Sequence, residues 1–323
     1  MKQFWKEVGL AIVLGMLMPG IILNIVTYSA RKHTNDTEKP NQAQSERHDQ
    51  TWIRVKSADG NVSQMDLEEY LTGVVLAEMP ASFDAEALKA QAVVARTYTL
   101  RAHEGKSKHP DAAVCTDPAC CQAYRTAASY EREGGSRENL EKVRSAVADT
   151  AGLVLTYEGA LIEATYFSCS GGMTEDAVAV WGTEVPYLQS VSSPGEEGAT
   201  YYTDSMTFSY DRLRELLGLS AGDGEIRFAD MEHTAGGGVA SLTIDGRSFQ
   251  GTELRKLLNL RSTAFTIVVD DGQVTFHTRG FGHRVGMSQY GADAMAVSGY
   301  QFQEILQHYY PGTILEGRSV DKQ

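Results

Sequence analysis

An α+β domain behind an apolar N-terminal segment is the fold class this sequence predicts, and three observations predict it. The first is a run of about twenty uncharged residues, Val8 to Tyr28, which matches the hydrocarbon thickness of a bilayer at a rise of about 1.5 Å per residue. The second is a polar stretch from Lys32 to Gln50, rich in Asn, Asp, Glu, Gln, Lys and Ser, which reads as a spacer. The third is that helical and strand patterns beyond residue 50 mingle without the regular βαβ alternation of a parallel sheet. The expected organisation is a membrane anchor over 1–31, a linker over 32–50, and one elaborated mixed α/β domain over 51–315.

Composition sets the limits of this reading. A chain of 323 residues has room for two domains or one elaborated domain at about 150 residues each. Hydrophobic residues at 42%, charged residues at 22% and only 8 prolines describe a folded globular protein. The formal net charge of -13 excludes a broad nucleic-acid footprint, which needs clustered Lys and Arg to displace phosphate counterions. There is no internal repeat.

In the apolar run, length and the lack of an A-x-A cleavage site favour an anchor over a cleaved signal peptide. Pro19 is expected to kink it. Lys2 and Lys6 on one side are balanced by Arg31 and Lys32 on the other, so charge alone leaves the orientation open.

The segment TWIRVKSADG then reads as a strand, and Met65-Asp66-x-x-Glu69 supplies a capping-box pattern with a Met65–Tyr70 staple. The helix so started runs to about Met79, where Pro80 pushes the preceding residue out of the α region. Asp84 caps a second helix to about Ala102, with Phe83 and Leu88 in staple positions. Residues 104–137 read as a Cys-bearing insertion of little periodicity. A helix from Leu140 to Thr150 follows, then a hairpin turning at Glu158-Gly159. Further helices are expected at Asp211–Leu217, Thr252–Leu258, Ser288–Val297 and Gln301–Tyr309, and strands at Ala264–Val269 and Val274–His277.

Glu78 carries the most information. Leu67, Leu71, Val74 and Glu78 follow at steps of four, three and four, which puts this carboxyl on the apolar stripe of its helix. Partial desolvation and the negative helix end both disfavour its charged form, as a general acid requires. The plainer alternative is a helix-end glutamate paired with a lysine. His109, Cys115, Cys120 and Cys121 lie within the thirteen residues HPDAAVCTDPACC. Their types suit zinc, although the spacing is not a standard pair of C-x₂-C knuckles. A disulfide of Cys115 with Cys120 or Cys121, or free thiols, are the alternatives.

The run EYLTGVVLAEMPASFDAEALKAQAVVARTY, Glu69 to Tyr98, resembles the signature of the stage II sporulation protein D family. Two further blocks agree with it. YFSCSGGMT, Tyr166 to Thr174, resembles the family's Ser-rich Gly-Gly turn, with Cys169 where a small hydroxylated residue is expected, and FGHRVGMSQYGA, Phe281 to Ala292, resembles its C-terminal block.

The resemblance implies a lytic transglycosylase that cuts peptidoglycan glycan strands during engulfment, with Glu78 as the single catalytic acid and base. It implies no cofactor for the chemistry, although some members carry zinc in the insertion. It implies a preference for strands stripped of stem peptides, and stage II sporulation proteins P and M as partners at the mother-cell membrane, with the body in the intermembrane space. The expected substrate-binding residues are Lys89, Arg96, Tyr98, Tyr166, Ser168, Ser170, His283, Ser288, Gln289 and Tyr290. Glycines 280, 282, 286 and 291 permit close approach around the last four, which suit a sugar's hydroxyls and ring faces. Lys89 and Arg96 share a helical face and either pair with carboxylates or bind a muramic lactyl group. Two rival readings are a non-catalytic amidase enhancer and a wall-binding module.

Overall fold

The structure, a computed structural model, describes residues 51–222 and 224–318. The apolar run 8–28, its Pro19 and the linker lie outside them. Among the described residues no helix is long and apolar enough to cross a membrane.

The chain opens with strands β1 (Trp52–Lys56) and β2 (Val62–Asp66), paired antiparallel. Helix α1 (Leu67–Glu78) starts where expected: the Asp66 carboxylate accepts from the Glu69 N–H at 3.1 Å, filling one of the orphan donors of the first turn. It stops where expected too, with Met79 extended at φ -121° before Pro80. Helix α2 (Ala85–Arg101) is capped by Asp84, whose side chain accepts from Glu86 N–H, and is buried over most of its length. A single wide turn, Ala102–Lys106, ends it.

The insertion is more ordered than its lack of periodicity suggests. Strand β3 (Val114–Cys115) adds parallel to β1, and a short helix α3 (Ala127–Arg132) follows. Two residues of strand cannot show a period, so their place is fixed by β1 and not by local pattern.

Helix α4 (Arg137–Asp149), strands β4 (Leu153–Tyr157) and β5 (Ala160–Leu161), β6 (Tyr166–Phe167) and helix α5 (Ala177–Trp181) come next. Glu158 and Gly159 turn the β4–β5 hairpin with φ of 51° and 77°, the positive pair a two-residue turn demands. A second lobe holds β7 (Thr203–Ser209), α6 (Tyr210–Leu217), β8 (Phe228–His233), β9 (Val239–Ile244), β10 (Arg247–Gln250), α7 (Gly251–Leu257), β11 (Phe265–Asp270) and β12 (Gln273–Arg279). The chain returns through β13 (Met287–Ser288), α8 (Gln289–Val297), α9 (Phe302–Tyr309) and β14 (Ile314–Gly317).

The class is therefore α+β, with two hydrophobic cores. The larger gathers α1, α2, α4, α8, α9 and the β14-β4-β5 sheet around Leu71, Val74, Leu88, Val93 and Ile305. The smaller lies between the two three-stranded sheets of the second lobe, around Phe249, Leu254, Val274 and Phe276. Strand β13 pairs parallel with β6, Met287 opposite Tyr166. That short ladder joins the C-terminal block to the Gly-Gly block beside the end of α1.

Candidate active site

Glu78, the last residue of α1, stands in a cleft of about 870 Å³. Its Oε1 accepts from the Ala123 backbone N–H at 2.6 Å. Burial pushes its carboxyl above the usual glutamate range, and the Ala123 amide, Tyr166 and Gln289 hold that shift back. The Glu-Met-Pro turn thus delivers what the apolar stripe predicts: a carboxyl that is easier to protonate than a free one.

The loop that reaches Glu78 is held by its neighbour Gln122, fully buried. Gln122 Oε1 accepts from Thr99 at 2.9 Å and Tyr70 at 3.4 Å, and its Nε2 donates to the Tyr166 hydroxyl at 3.2 Å. Gly73 makes room for it, since a Cβ there would strike the Tyr124 ring, which stacks on Tyr70 at 5.6 Å.

Of the expected binding residues, Tyr98, Tyr166, Ser168, His283 and Gln289 line this cleft with Glu78. Gln289 is 5% exposed, and its side-chain amide is turned to the Glu78 carboxyl, whose ionised form it favours. Val285 N–H donates to His283 Nδ1 at 3.1 Å, which leaves the ring proton on Nε2. Burial, and then the charge of Arg255, lower the His283 pKa to about 4, so this ring is a neutral wall of the cleft at physiological pH.

Five expected binding residues are placed elsewhere. Arg96 is fully buried and gives its guanidinium to Glu68 at 2.6 and 2.9 Å and to the carbonyls of Val147 and Leu153. Lys89 pairs with Glu86 at 2.9 Å and Asp149 at 3.4 Å. Both therefore follow the carboxylate-pairing alternative, bracing α2 against its neighbours. Ser170 and Ser288 are buried on the Glu196 carboxylate, which also takes the N–H groups of Ser170 and Gly171 at 2.9 Å. Small polar residues near a gly-rich turn were expected to face sugar; they are instead the donors that make a buried charge tolerable. Tyr290 packs edge-on against Phe83 at 5.0 Å, away from the cleft. Cys169 takes its hydroxyl-like place by directing Sγ to Glu196 at 3.4 Å.

The glycines of the C-terminal block divide. Gly280, Gly282 and Gly286 adopt φ of 81°, 122° and 83°, whereas Gly291 lies inside α8 and is small because Ser193, Glu196 and Tyr309 crowd it. Between them Arg284, itself at φ 65°, is buried and bonded to Glu175 at 3.0 Å and to three carbonyls. Sequence reasoning passed over Arg284, Glu196 and Gln122. An arginine within a glycine-rich block was the available sign, because only a close backbone wrap satisfies five donors away from water.

Cys120 and Cys121 line the same cleft. The donor atoms of His109, Cys115, Cys120 and Cys121 all lie within 4.8 Å of one another. His109 Nε2 is 3.4 Å from Cys121 Sγ and 3.6 Å from Cys120 Sγ, and the two sulfurs are 3.9 Å apart. All four cysteines of the chain are free, so the disulfide alternative is not what the structure holds. Sulfurs about 2.3 Å from a tetrahedral zinc would stand about 3.8 Å apart, and three thiols with one imidazole are a zinc-type donor set, so these residues can hold a metal ion. Burial raises the Cys121 thiol to about 11, a cost that a coordinated cation removes.

Fold and site together define an α+β protein built around one protonatable carboxyl in an aromatic cleft, with a thiol-rich cluster at its wall. Comparison with known proteins carries this to a family. The SpoIID family model, described as Stage II sporulation protein, matches residues 55–157. Stage II sporulation protein D of Bacillus amyloliquefaciens is 40% identical over 261 residues, covering 80% of this chain and 76% of that one. Its namesake in Bacillus subtilis (strain 168) is 39% identical over 263 residues, with the same coverage. The amidase enhancer of Bacillus subtilis is 30% identical over 299 residues, spanning 76% of this chain and 40% of that protein. The chain belongs to the stage II sporulation protein D family.

Proposed function

We propose that this protein is a lytic transglycosylase that cuts the bond between N-acetylmuramic acid and N-acetylglucosamine in peptide-stripped peptidoglycan during engulfment. One observation carries the reading: the part-buried, hard-to-ionise carboxyl of Glu78 at the wall of a cleft wide enough for sugar rings. A hydrolase of the usual kind needs two carboxylates flanking the bond. The other carboxylate lining the cleft, Glu163, is engaged by Arg101 at 3.3 Å.

One carboxyl suffices when the nucleophile belongs to the substrate. Glu78 as acid gives its proton to the oxygen leaving the muramyl C1; as carboxylate it then takes the proton of the muramyl C6 hydroxyl, which attacks C1. The product is a 1,6-anhydro sugar and no water enters. Intramolecular attack supplies the effective concentration that a second carboxylate would supply by orienting water. The Ala123 amide and the Gln289 side chain steady the carboxylate that forms. Lys108 is the one lysine or arginine lining the cleft among the described residues, and it is where the free lactyl carboxylate of a stripped strand would be met.

Zinc is the metal the four-residue cluster fits best, held by His109, Cys115, Cys120 and Cys121. Its role is structural: it ties the loop that ends at Ala123, and the sugar chemistry needs no cofactor. The anchor over 8–28, a body outside the cytoplasm facing the intermembrane space, and sporulation proteins P and M as partners complete the proposal, the first on the length of the uncharged run and the others on family membership.

The test is mass spectrometry of peptide-free glycan digested by the parent protein and by Glu78→Gln. Anhydromuramyl ends from the parent alone support the reading; reducing ends, or equal products from both, overturn it. The amidase enhancer relative favours a second reading, activation of a partner amidase. Parent and variant that are both inactive on glycan, yet stimulate an amidase equally, would establish that one.

A further inference from the structure

The chain hides its large aromatic residues well: Tyr70, Tyr309 and Tyr310 are fully buried. Among the described residues the exposed aromatic side chains are Trp52, Trp181, Tyr201 and Tyr300, and of these Trp181 and Tyr201, 44% and 38% exposed, both line the Glu78 cleft. Leaving an indole in water forgoes apolar burial, so an exposed pair on one cleft calls for an occupant.

The two rings are set, not loose. Trp181 ends α5 at the left-handed Gly182, and its ring lies 5.5 Å from His283. Tyr201 packs edge-on against Phe281 at 5.2 Å. The Arg261 guanidinium lies 5.0 and 4.9 Å from the ring centres of Tyr201 and Phe281, itself fastened to Asp204 at 2.8 Å. Phe281 and His283 are two residues apart, so one tight turn carries an aromatic ring at each end. Each ring of the turn supports one exposed ring.

We propose that Trp181 and Tyr201 are stacking platforms, one beside each end of the Phe281–His283 turn, that seat the C–H faces of two pyranose rings of an N-acetylhexosamine chain and make the cleft prefer long glycans over single disaccharides. This rests on the glycan reading of the same cleft. A fixed aromatic face is what a sugar ring requires, since it presents apolar C–H groups on its faces and hydroxyls at its edge. The His283 ring suits the role: uncharged, it adds no cation beneath the indole that would compete with the sugar's C–H groups.

The experiment measures binding by calorimetry, using the full-length Glu78→Gln protein so that substrate survives, with peptide-free glycan of two and of eight sugars. Trp181→Ala is expected to weaken binding of the octasaccharide by about tenfold, as removal of a buried tryptophan contact commonly does, and to leave disaccharide binding within twofold. Tyr201→Ala is expected to act the same way by about threefold. Trp181→Phe and Tyr201→His, which keep a flat ring, should hold most of the affinity, and the thermal midpoints of all four should match the parent. If Trp181→Ala and the parent bind the octasaccharide within twofold of each other, the rim is overturned while the glycan reading stands. If the parent binds neither glycan, both are overturned.

Discussion

The carboxyl of Glu78 and the backbone N–H of Ala123, 45 residues on, are joined at 2.6 Å, and Ala123 stands two residues beyond Cys121. The position of the acid is thus coupled to the loop of the thiol cluster. A donor fixed to a carboxylate favours the ionised form, so this contact helps to fix where the acid points and offsets part of the rise that burial imposes on its pKa.

If that coupling is mechanical, loss of the metal proposed for the cluster lowers turnover without changing substrate affinity. Cys121→Ser, or chelation of protein purified with its metal, is expected to reduce kcat by about tenfold, the common scale for removing a supporting partner of a functional group, with KM unchanged. Amide exchange over residues 120–125 should quicken in parallel. Unchanged exchange with unchanged kcat would show that Gln122 and its three partners hold the loop alone.

Glu78 itself should be a stability liability at neutral pH. Its folded pKa lies above the unfolded one, so folding is unpenalised below the unfolded pKa, where both states are protonated, and the penalty grows as pH rises through the folded pKa. Glu78→Gln keeps an acceptor for Ala123 and removes the charge. It is expected to raise the thermal midpoint at pH 7, at about 2–4 °C per kcal/mol, with the difference vanishing toward pH 3. A variant less stable than the parent at pH 7 would mean that the charge is well paired in the folded protein.

Local chemistry made much of this legible. Asp66 and Asp84 as caps, the stop at Pro80 and the turn at Glu158-Gly159 fall where side-chain and backbone sterics put them. The missed elements divide by cause. Strands β9 and β10 turn at Asp245-Gly246 with φ of 48° and 83°, and the Asp-Gly pair in TIDGRSF is the local sign of that hairpin. By contrast β3, β6 and β13 are two residues each, and only partners far along the chain make them strands. The site shows the same division. Glu78, Tyr166, His283 and Gln289 lie in dense motifs, whereas Trp181 and Tyr201 reach the cleft from a long connection whose path no local pattern sets. For Arg96 the spacing leaves two roles open, because it tells which face a side chain is on and not which carboxylate waits there.

Arg284 gives a third expectation. Its guanidinium and Glu175 are both nearly inaccessible, and the arginine holds the turn that carries His283 by bonding the carbonyls of Ser170, Met173 and Gly236. Removing one partner of a buried pair strands the other, so Arg284→Met should cost about 3–5 kcal/mol. The double variant Arg284→Met with Glu175→Gln should recover part of that loss in chemical denaturation. Equal midpoints for single and double variants would mean the carbonyl contacts, and not the pair, carry the cost.

His283 gives the last, and its sign opposes that of Glu78. Burial favours the neutral ring and lowers the folded pKa to about 4, whereas the unfolded chain takes up its proton near the ordinary value of about 6.5. The stability this ring supplies is therefore whole above about pH 6.5 and drains away as pH falls through the folded value. Across that window it amounts to on the order of 3 kcal/mol. His283→Gln, which offers an acceptor to the Val285 N–H and cannot take a proton, should flatten the fall in stability between pH 6.5 and 4 while leaving the pH 7 value within about 1 kcal/mol, the central size of one hydrogen bond. Carbon-detected titration of the imidazole in the folded protein reads the same quantity directly. A ring that titrates near 6.5 would place a charge in the cleft at mildly acidic pH, and would show that burial does not set its protonation.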